Sequence, residues 1–281
     1  MVHKRRDAVE VTGMDGLHAL FPYVMPKRTE AECALHTEVD ITGLMEWIKN
    51  KNENEGTQYK LFHAVCAAVG KTICQRPLLN RFIAGKRYWQ RNEITLSFVA
   101  KRQFADGAQE SLMTFKLKED QNLDDLSRFI IGDVNKMRSS GSHGLDDTID
   151  AFGRLPRWLL NIVFFVLARL EYHGIIIPAL TEGDSNYTTV LLSNLGSIGG
   201  GAPYHHLNNY GTNSLMMTIG TYFKRKNEDG ETRLILPMSI MLDERIADGY
   251  YFTRSVKYLN WLLENPDELL KPFSELGDYE F

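Results

Sequence analysis

From Leu61 to Cys74 apolar residues occupy nearly every side of a helical wheel (Phe62, Ala64, Val65, Ala67, Ala68, Val69, Ile73), the mark of a helix packed on more than one face and central to a core. Ahead of it, Cys33 to Asp40 predicts a strand. Asp40 then stands as N-cap of a helix whose Ile41, Leu44, Met45 and Ile48 follow the 3.6-residue period. Between the two helices Lys51 to Gly56 reads as a charged, solvated loop. Beyond them, Arg81 to Ala84, Tyr88 to Trp89 and Ile94 to Ala100 are short strand-like runs separated by turn signals, with Ile94, Leu96 and Phe98 alternating onto one face. Gln109 to Leu117 predicts a further strand, and Leu123, Leu126, Phe129, Ile130 and Val134 an amphipathic helix that ends before the stretch at 139–144. The last third alternates in the same way. Strands are predicted at Tyr187 to Ser193, Ser214 to Lys224 and Arg233 to Asp243, and a closing helix shares Phe252, Val256, Leu259 and Leu263 on one face.

Strands and helices are mixed without strict βαβ alternation, which predicts an α+β class with a large mixed sheet. No Pro-rich or Ser-rich linker separates the pattern into two units, so one domain over 1–281 is expected. One segment stands apart from the alternation. Trp158 to Leu167 is almost wholly apolar, interrupted by Asn161 and bracketed by Arg157 and Arg169. It is too short for a bilayer span, which takes about 20 residues. Starting after Pro156, it reads as a buried or subunit-contact helix, with a membrane-surface helix as the alternative.

Composition narrows the function classes. A net charge of −4, with one basic cluster at His3 to Arg6, offers no field for a phosphate backbone, so nucleic acid is not an expected partner. Three cysteines make no disulfide framework. Cys66 and Cys74, eight positions apart on one helix, sit roughly 12 Å apart along its axis and cannot pair. With no apolar segment following the N-terminal charges, a cytoplasmic, reduced setting and no transmembrane segment are expected.

Two stretches hold candidate chemistry. Asp243-Glu244-Arg245-Ile246-Ala247-Asp248-Gly249 lies where a strand gives way to a helix, where ionisable side chains beside a glycine turn face a cleft. The plain structural reading of the same residues is a charged turn whose carboxylates pair with Arg245 and cap the next helix. Ser193-Asn194-Leu195-Gly196-Ser197-Ile198-Gly199-Gly200-Gly201 follows another strand. It lacks the Lys-Ser/Thr ending of a phosphate loop, and what remains is a hydroxyl and backbone amides suited to stabilising an oxyanion. His205 and His206, flanked by Tyr204 and Tyr210, fit metal ligands, bases or plain loop residues. No Cys, Asp or Glu stands near them at ligand spacing, so no metal is expected.

These residues resemble the catalytic domain of the 2-oxoacid dehydrogenase (dihydrolipoamide) acyltransferases, whose C-terminal motif is Asp-His-Arg-x-x-Asp-Gly. Asp243, Arg245, Asp248 and Gly249 stand in register with it. The family's Ser-Asn-Leu-Gly turn is matched by Ser193 to Gly196, 51 positions before Glu244. Upstream, Arg76-Pro77-Leu78-Leu79-Asn80 resembles the family's Pro-x-Leu-Asn, and Glu38-Val39-Asp40-Ile41-Thr42 its strand-to-helix entry. The resemblance implies a chloramphenicol acetyltransferase-like two-layer sandwich and a homotrimer with active sites at subunit interfaces. It also implies coenzyme A or acyl-coenzyme A as substrate, entering a channel opposite the acceptor. By position Ser193 is the oxyanion donor, Glu244 replaces the histidine base, and Asp248 shapes the site. Asn194 and Gly196 line the coenzyme A side, and His205, His206 and Arg245 are channel candidates.

The departures from the family pattern set the alternatives. An unperturbed glutamate, with a pKa of about 4.3, is a weaker base than imidazole at about 6.5 toward a thiol near 8.5. Burial raises a carboxyl pKa and recovers basicity, whereas pairing with Arg245 holds Glu244 ionised. The functions that follow are a stand-alone acyltransferase, or a catalytically silent subunit that binds acyl-coenzyme A or a partner. A drug-modifying acetyltransferase is a third, although such an enzyme also needs the histidine. No lipoyl attachment site precedes the core, so a separate carrier or dehydrogenase-complex subunit is the expected partner. Relative to the family, residues around 141–186 form an inserted helical segment.

Overall fold

The computed structural model describes residues 5–101, 110–140 and 153–281. In chain order its strands are β1 (Ala8–Val11), β2 (Glu32–Asp40), β3 (Arg81–Ala84), β4 (Arg87–Arg91), β5 (Ile94–Lys101), β6 (Glu110–Leu117), β7 (Val190–Asn194), β8 (Leu215–Ile219), β9 (Phe223–Lys226) and β10 (Thr232–Asp243). The longer helices are α1 (Gly16–Val24), α2 (Thr42–Asn54), α3 (Leu61–Gln75), α4 (Leu123–Ser140), α5 (Arg157–Tyr172) and α6 (Gly249–Glu264). A seven-stranded sheet runs β2-β10-β8-β7-β5-β6, with β9 pairing on β10, and a small sheet runs β1-β4-β3. Pairs β5–β7 and β7–β8 are parallel and the other pairs of the large sheet antiparallel, the mixed α+β arrangement that the sequence predicts.

The period-2 pattern decides which face is which. Leu236, Met238, Ile240 and Leu242 of β10 point to the same side as Leu215, Met217, Leu96, Phe98 and Phe115, and there they meet α3, α4 and α6. Helix α3 is buried from His63 through Ile73, as its all-round apolar pattern predicts, and the fully buried Lys71 donates to the carbonyls of Glu268 and Pro272. The opposite face of the sheet is different in kind. Ser97, Thr218 and Ser239 are buried there, and a small apolar cluster of Leu191, Leu207, Met216 and Met241 is covered by the loop that follows β7. That loop covers this side over β8 and β10.

Several elements differ from the sequence pattern: Asp40, the expected N-cap of α2, stands one residue ahead of the N-cap Ile41, with its Oδ1 accepting Thr42 N–H at 2.8 Å, and α4 runs on to Ser140. The expected loop at 51–56 is shorter, because α2 continues to Asn54, with Lys51 and Glu55 pairing at 2.7 Å, and stops at Gly56 with φ of 70°. The strand expected from Tyr187 begins at Val190, after a 3-10 turn capped by Asp184. The strand expected over 214–224 is broken into β8 and β9, since Gly220 and Thr221 turn aside to hold the glycine-rich turn. Helix α5 exists where the apolar run predicts it, but none of its residues is buried within the chain. Leu159, Leu160, Val163, Leu167, Leu170 and Glu171 are half-covered, and Phe164 meets Tyr210 edge-on at 5.4 Å. No described helix is long and apolar enough to cross a membrane.

Candidate functional site

One end of the large sheet is built around Asp243, the last residue of β10. Its N–H donates to Ser214 O, and its side chain is fully buried. Arg245 folds back onto it through a two-pronged contact, Nε to Oδ1 at 2.7 Å and Nη2 to Oδ2 at 2.6 Å, while Nη1 donates to Met25 O at 2.6 Å. A planar guanidinium fork is matched to a carboxylate in this geometry, and the pair is shut away from water. The chain turns tightly as Ile246 N–H reaches Asp243 O, sinking Ile246 and Ala247 into the core. Glu244, between the sunken neighbours, is thrown outward, anchored by its own N–H to Ala31 O at 2.9 Å. The arginine that the sequence allows to hold Glu244 ionised is therefore committed to Asp243. Beside Glu244 lies Cys33, whose thiol pKa is raised by partial burial and by that carboxylate.

Asp248 accepts Tyr251 N–H at 2.7 Å and so serves as N-cap of α6. The plain structural reading of this motif thus holds for Asp243 and Asp248, and leaves Glu244 as the one of the three carboxylates with no capping or pairing partner among the described residues.

Ser193 lies at the other end. It sits on β7 opposite Thr218 of β8, which pairs with Ser239 of β10, which pairs with His36 of β2. These four residues form a polar row across the outer face of the sheet. His36 brings Nδ1 to 3.5 Å from Ser239 Oγ and Nε2 to 3.9 Å from Glu38 Oε1, with Tyr204 edge-on to its ring. The row is level with Ser239, whereas Asp243 lies four residues further along β10, roughly 13 Å at 3.3 Å per residue. Two strand spacings add roughly 10 Å across the sheet. Within one chain Ser193 and Glu244 do not meet.

After Ser193, Asn194 accepts Ser197 N–H and closes a 3-10 turn. Gly196 is required by packing, because a Cβ there would stand 2.4 Å from Gly220 O, and Gly200 O accepts both the N–H and the hydroxyl of Thr221. The turn that resembles an anion cradle is thus wedged into the break between β8 and β9. From it the loop runs along the outer face toward Glu244. Ala202 O accepts Ser239 Oγ–H, and Leu207 is buried and donates its N–H to Glu32. His205 and His206 ride on this loop as exposed side chains, each with Nδ1 near a backbone carbonyl, at 3.1 and 3.2 Å. No group of three His, Cys, Asp or Glu among the described residues converges on a metal position.

Several buried groups hold the Glu244 end in place. Arg91 donates to Tyr187 O, Thr188 O and Thr212 O, and burial pushes its pKa down to about 9. Arg28 donates to Asn208 O, Asn209 O and Ile83 O. Asn80, of the Pro-Leu-Leu-Asn segment, accepts Thr189 Oγ1–H just before β7. Sequence reasoning missed Thr218, Ser239 and His36. For Thr218 and Ser239 the signal was a polar residue beside Met216 and Met241 on the same strand faces, whereas His36 shares its face with Glu38 and Asp40 and gave none.

The fold is shared with solved structures. The cubic core of the pyruvate dehydrogenase multienzyme complex superposes with a TM-score of 0.61, at 16% identity over 93% of this chain and 95% of that one. Dihydrolipoamide acetyltransferase of Azotobacter vinelandii gives 0.61, at 17% identity over 93% and 95%. A chloramphenicol acetyltransferase gives 0.55, at 14% identity over 91% and 99%. In sequence, a chloramphenicol acetyltransferase of Bacillus pumilus is 40% identical over 55 residues, a match that spans 20% of this chain and only 24% of that protein. No family model matches the chain. The architecture is therefore the chloramphenicol acetyltransferase-like fold that the sequence resemblance implies, at identities that speak for the fold alone.

Proposed function

We propose that this protein transfers an acyl group from a coenzyme A thioester to a thiol or hydroxyl acceptor, at a site that a second copy of the chain completes. The observation that carries the reading is the placement of Ser193 and Glu244 at opposite ends of one sheet, Glu244 exposed and free of Arg245. Residues that serve one reaction but lie far apart in a subunit are brought together across a closed, symmetric interface, and the homotrimer that the resemblance implies supplies one. Chain order supports the same roles. In the Azotobacter vinelandii enzyme a serine, a histidine and an asparagine are assigned to the catalytic mechanism, the histidine 52 positions after the serine and the asparagine 4 after that. Here Glu244 follows Ser193 by 51 positions and Asp248 follows Glu244 by 4.

In this mechanism the acceptor S–H or O–H gives its proton to the Glu244 carboxylate as its sulfur or oxygen attacks the thioester carbonyl. The oxyanion of the tetrahedral intermediate accepts a hydrogen bond from the Ser193 hydroxyl. Collapse breaks the bond to the coenzyme A sulfur, which takes back the proton held by Glu244. Asp248 acts through position, fixing the start of α6 and with it the turn that carries Glu244. The second copy would shield the Glu244 carboxylate from water as it takes the proton. A dihydrolipoamide acceptor would arrive on a separate carrier chain, and Asn194 and Gly196 would flank the coenzyme A side.

The test is thiol release from acetyl-coenzyme A with a dihydrolipoamide or small-alcohol acceptor. Ser193→Ala and Glu244→Gln are each expected to lower the rate by about 10²-fold or more. Trimers reassembled from an equal mixture of the two variants should regain about a quarter of the wild-type rate, because one neighbour pair in four then carries both intact residues. A mixture as inactive as its components sinks the shared site. Activity present only in Glu244→His assigns the chain to the other reading, a silent scaffold that binds acyl-coenzyme A or a partner.

A further inference from the structure

Helix α5 has an inner and an outer face. Leu159, Val163, Leu167 and Leu170 are turned toward the body, while Trp158, Ile162, Phe165 and Tyr172 line the opposite side at helical spacing. Phe165 is 72% exposed and Trp158 65%. Soluble chains rarely present such a contiguous apolar face without a partner for it.

The charges on this face indicate the partner. Arg157 stands at its first turn, and Arg169 near its last, where the guanidinium lies 5.4 Å from the centre of the Tyr172 ring. The helix has one carboxylate, Glu171, and it is turned inward to 3.9 Å from the buried Arg5. In a protein whose net charge is −4, the outer face of α5 is thus apolar and cationic, with no acid on it. Two such faces packed on each other would set arginine against arginine with nothing between them, which disfavours pairing with another copy of α5. A surface that is both apolar and anionic satisfies both properties. At about 1.5 Å per residue the helix is roughly 24 Å long, shorter than a bilayer core of about 30 Å, so it suits lying in the plane of the interface.

We propose that α5 docks the protein onto an anionic lipid surface, with Trp158, Ile162 and Phe165 sunk below the headgroups and Arg157 and Arg169 at the level of the phosphates. Arg and Trp placed this way are the elements of interfacial helices, whose binding combines buried apolar area with attraction to acidic lipid. The inference is independent of the acyl transfer reaction.

The experiment is flotation of the full-length protein with vesicles of phosphatidylcholine and phosphatidylglycerol, against vesicles of phosphatidylcholine alone. Wild type is expected to float with the mixed vesicles and to lose much of that binding in 0.5 M salt. Phe165→Ser should weaken partitioning by about tenfold or more, the burial of one phenyl group. The double variant R157Q and R169Q should remove the preference for acidic lipid. Both changes are on exposed side chains, and unchanged circular dichroism and thermal midpoints verify that the variants are folded. Wild type that stays with the soluble fraction, or Phe165→Ser that floats as well as wild type, overturns the proposal. Failure to float, together with loss of the oligomer in Phe165→Ser by sedimentation velocity, would give this face to a second copy of the chain.

Discussion

The two ends of the large sheet are made on opposite plans. At the Glu244 end, charge is locked inside: Asp243 and Arg245 are both buried and paired, and Arg28 and Arg91 spend their donors on backbone carbonyls. At the Ser193 end hydroxyls line the sheet, and order comes from backbone wedged against backbone at Gly196 and Gly220. The first plan presents the Glu244 carboxylate to solvent on a turn flanked by buried neighbours. The second leaves a half-buried hydroxyl at the end of a strand. In the proposed mechanism a base needs its neighbours' charges settled in advance, whereas an oxyanion donor needs only geometry, and the arginines accordingly gather at the Glu244 end.

The contrast can be broken most severely at Arg245. Arg245→Leu leaves Asp243 buried without its counter-ion and is expected to cost about 3–5 kcal/mol in urea unfolding, whereas an unchanged midpoint would show that the pair holds nothing in place. At the other end Gly196→Ala forces a Cβ against Gly220 O and should cost about 1–3 kcal/mol, with thiol release falling more than stability because Ser193 shifts with the turn. The smallest effect separates capping from catalysis. Asp248→Ala removes the bond to Tyr251 N–H, for about 1 kcal/mol in thermal unfolding, while Asp248→Asn keeps the cap. Activity retained in Asp248→Asn and reduced in Asp248→Ala would give Asp248 a purely positional role.

Much of the architecture was legible because its signals are local. The all-round apolar run of α3 and the alternation along β10 each state their burial outright, and the Ser193 and Asp243 segments stand out by composition. What escaped depends on distant partners. The break between β8 and β9 is imposed by Gly196, two dozen residues upstream, and nothing near Gly220 in the sequence announces it. The sequence left open whether Arg245 serves Glu244 or Asp243, since both carboxylates are adjacent to it or nearly so; the direction of the turn chooses. His36 reads as one polar residue in a strand until β10 sets it beside Ser239. Residues 5–31 lack a clear period, so β1 and α1, which carries Pro22 within it, were not anticipated.

Strand β10 enters the sheet between β2 and β8, although both precede it in the chain and β2 does so by about two hundred residues. During synthesis the earlier strands must therefore wait with an open slot, their facing edges unsatisfied until Thr232–Asp243 has left the ribosome. Such late, long-range insertion is intrinsically slow and exposes strand edges to other chains. Truncation upstream of β10 should accordingly yield aggregate in place of a smaller folded unit, and the yield of full-length protein should respond to temperature and chaperone supply more than its final stability would suggest.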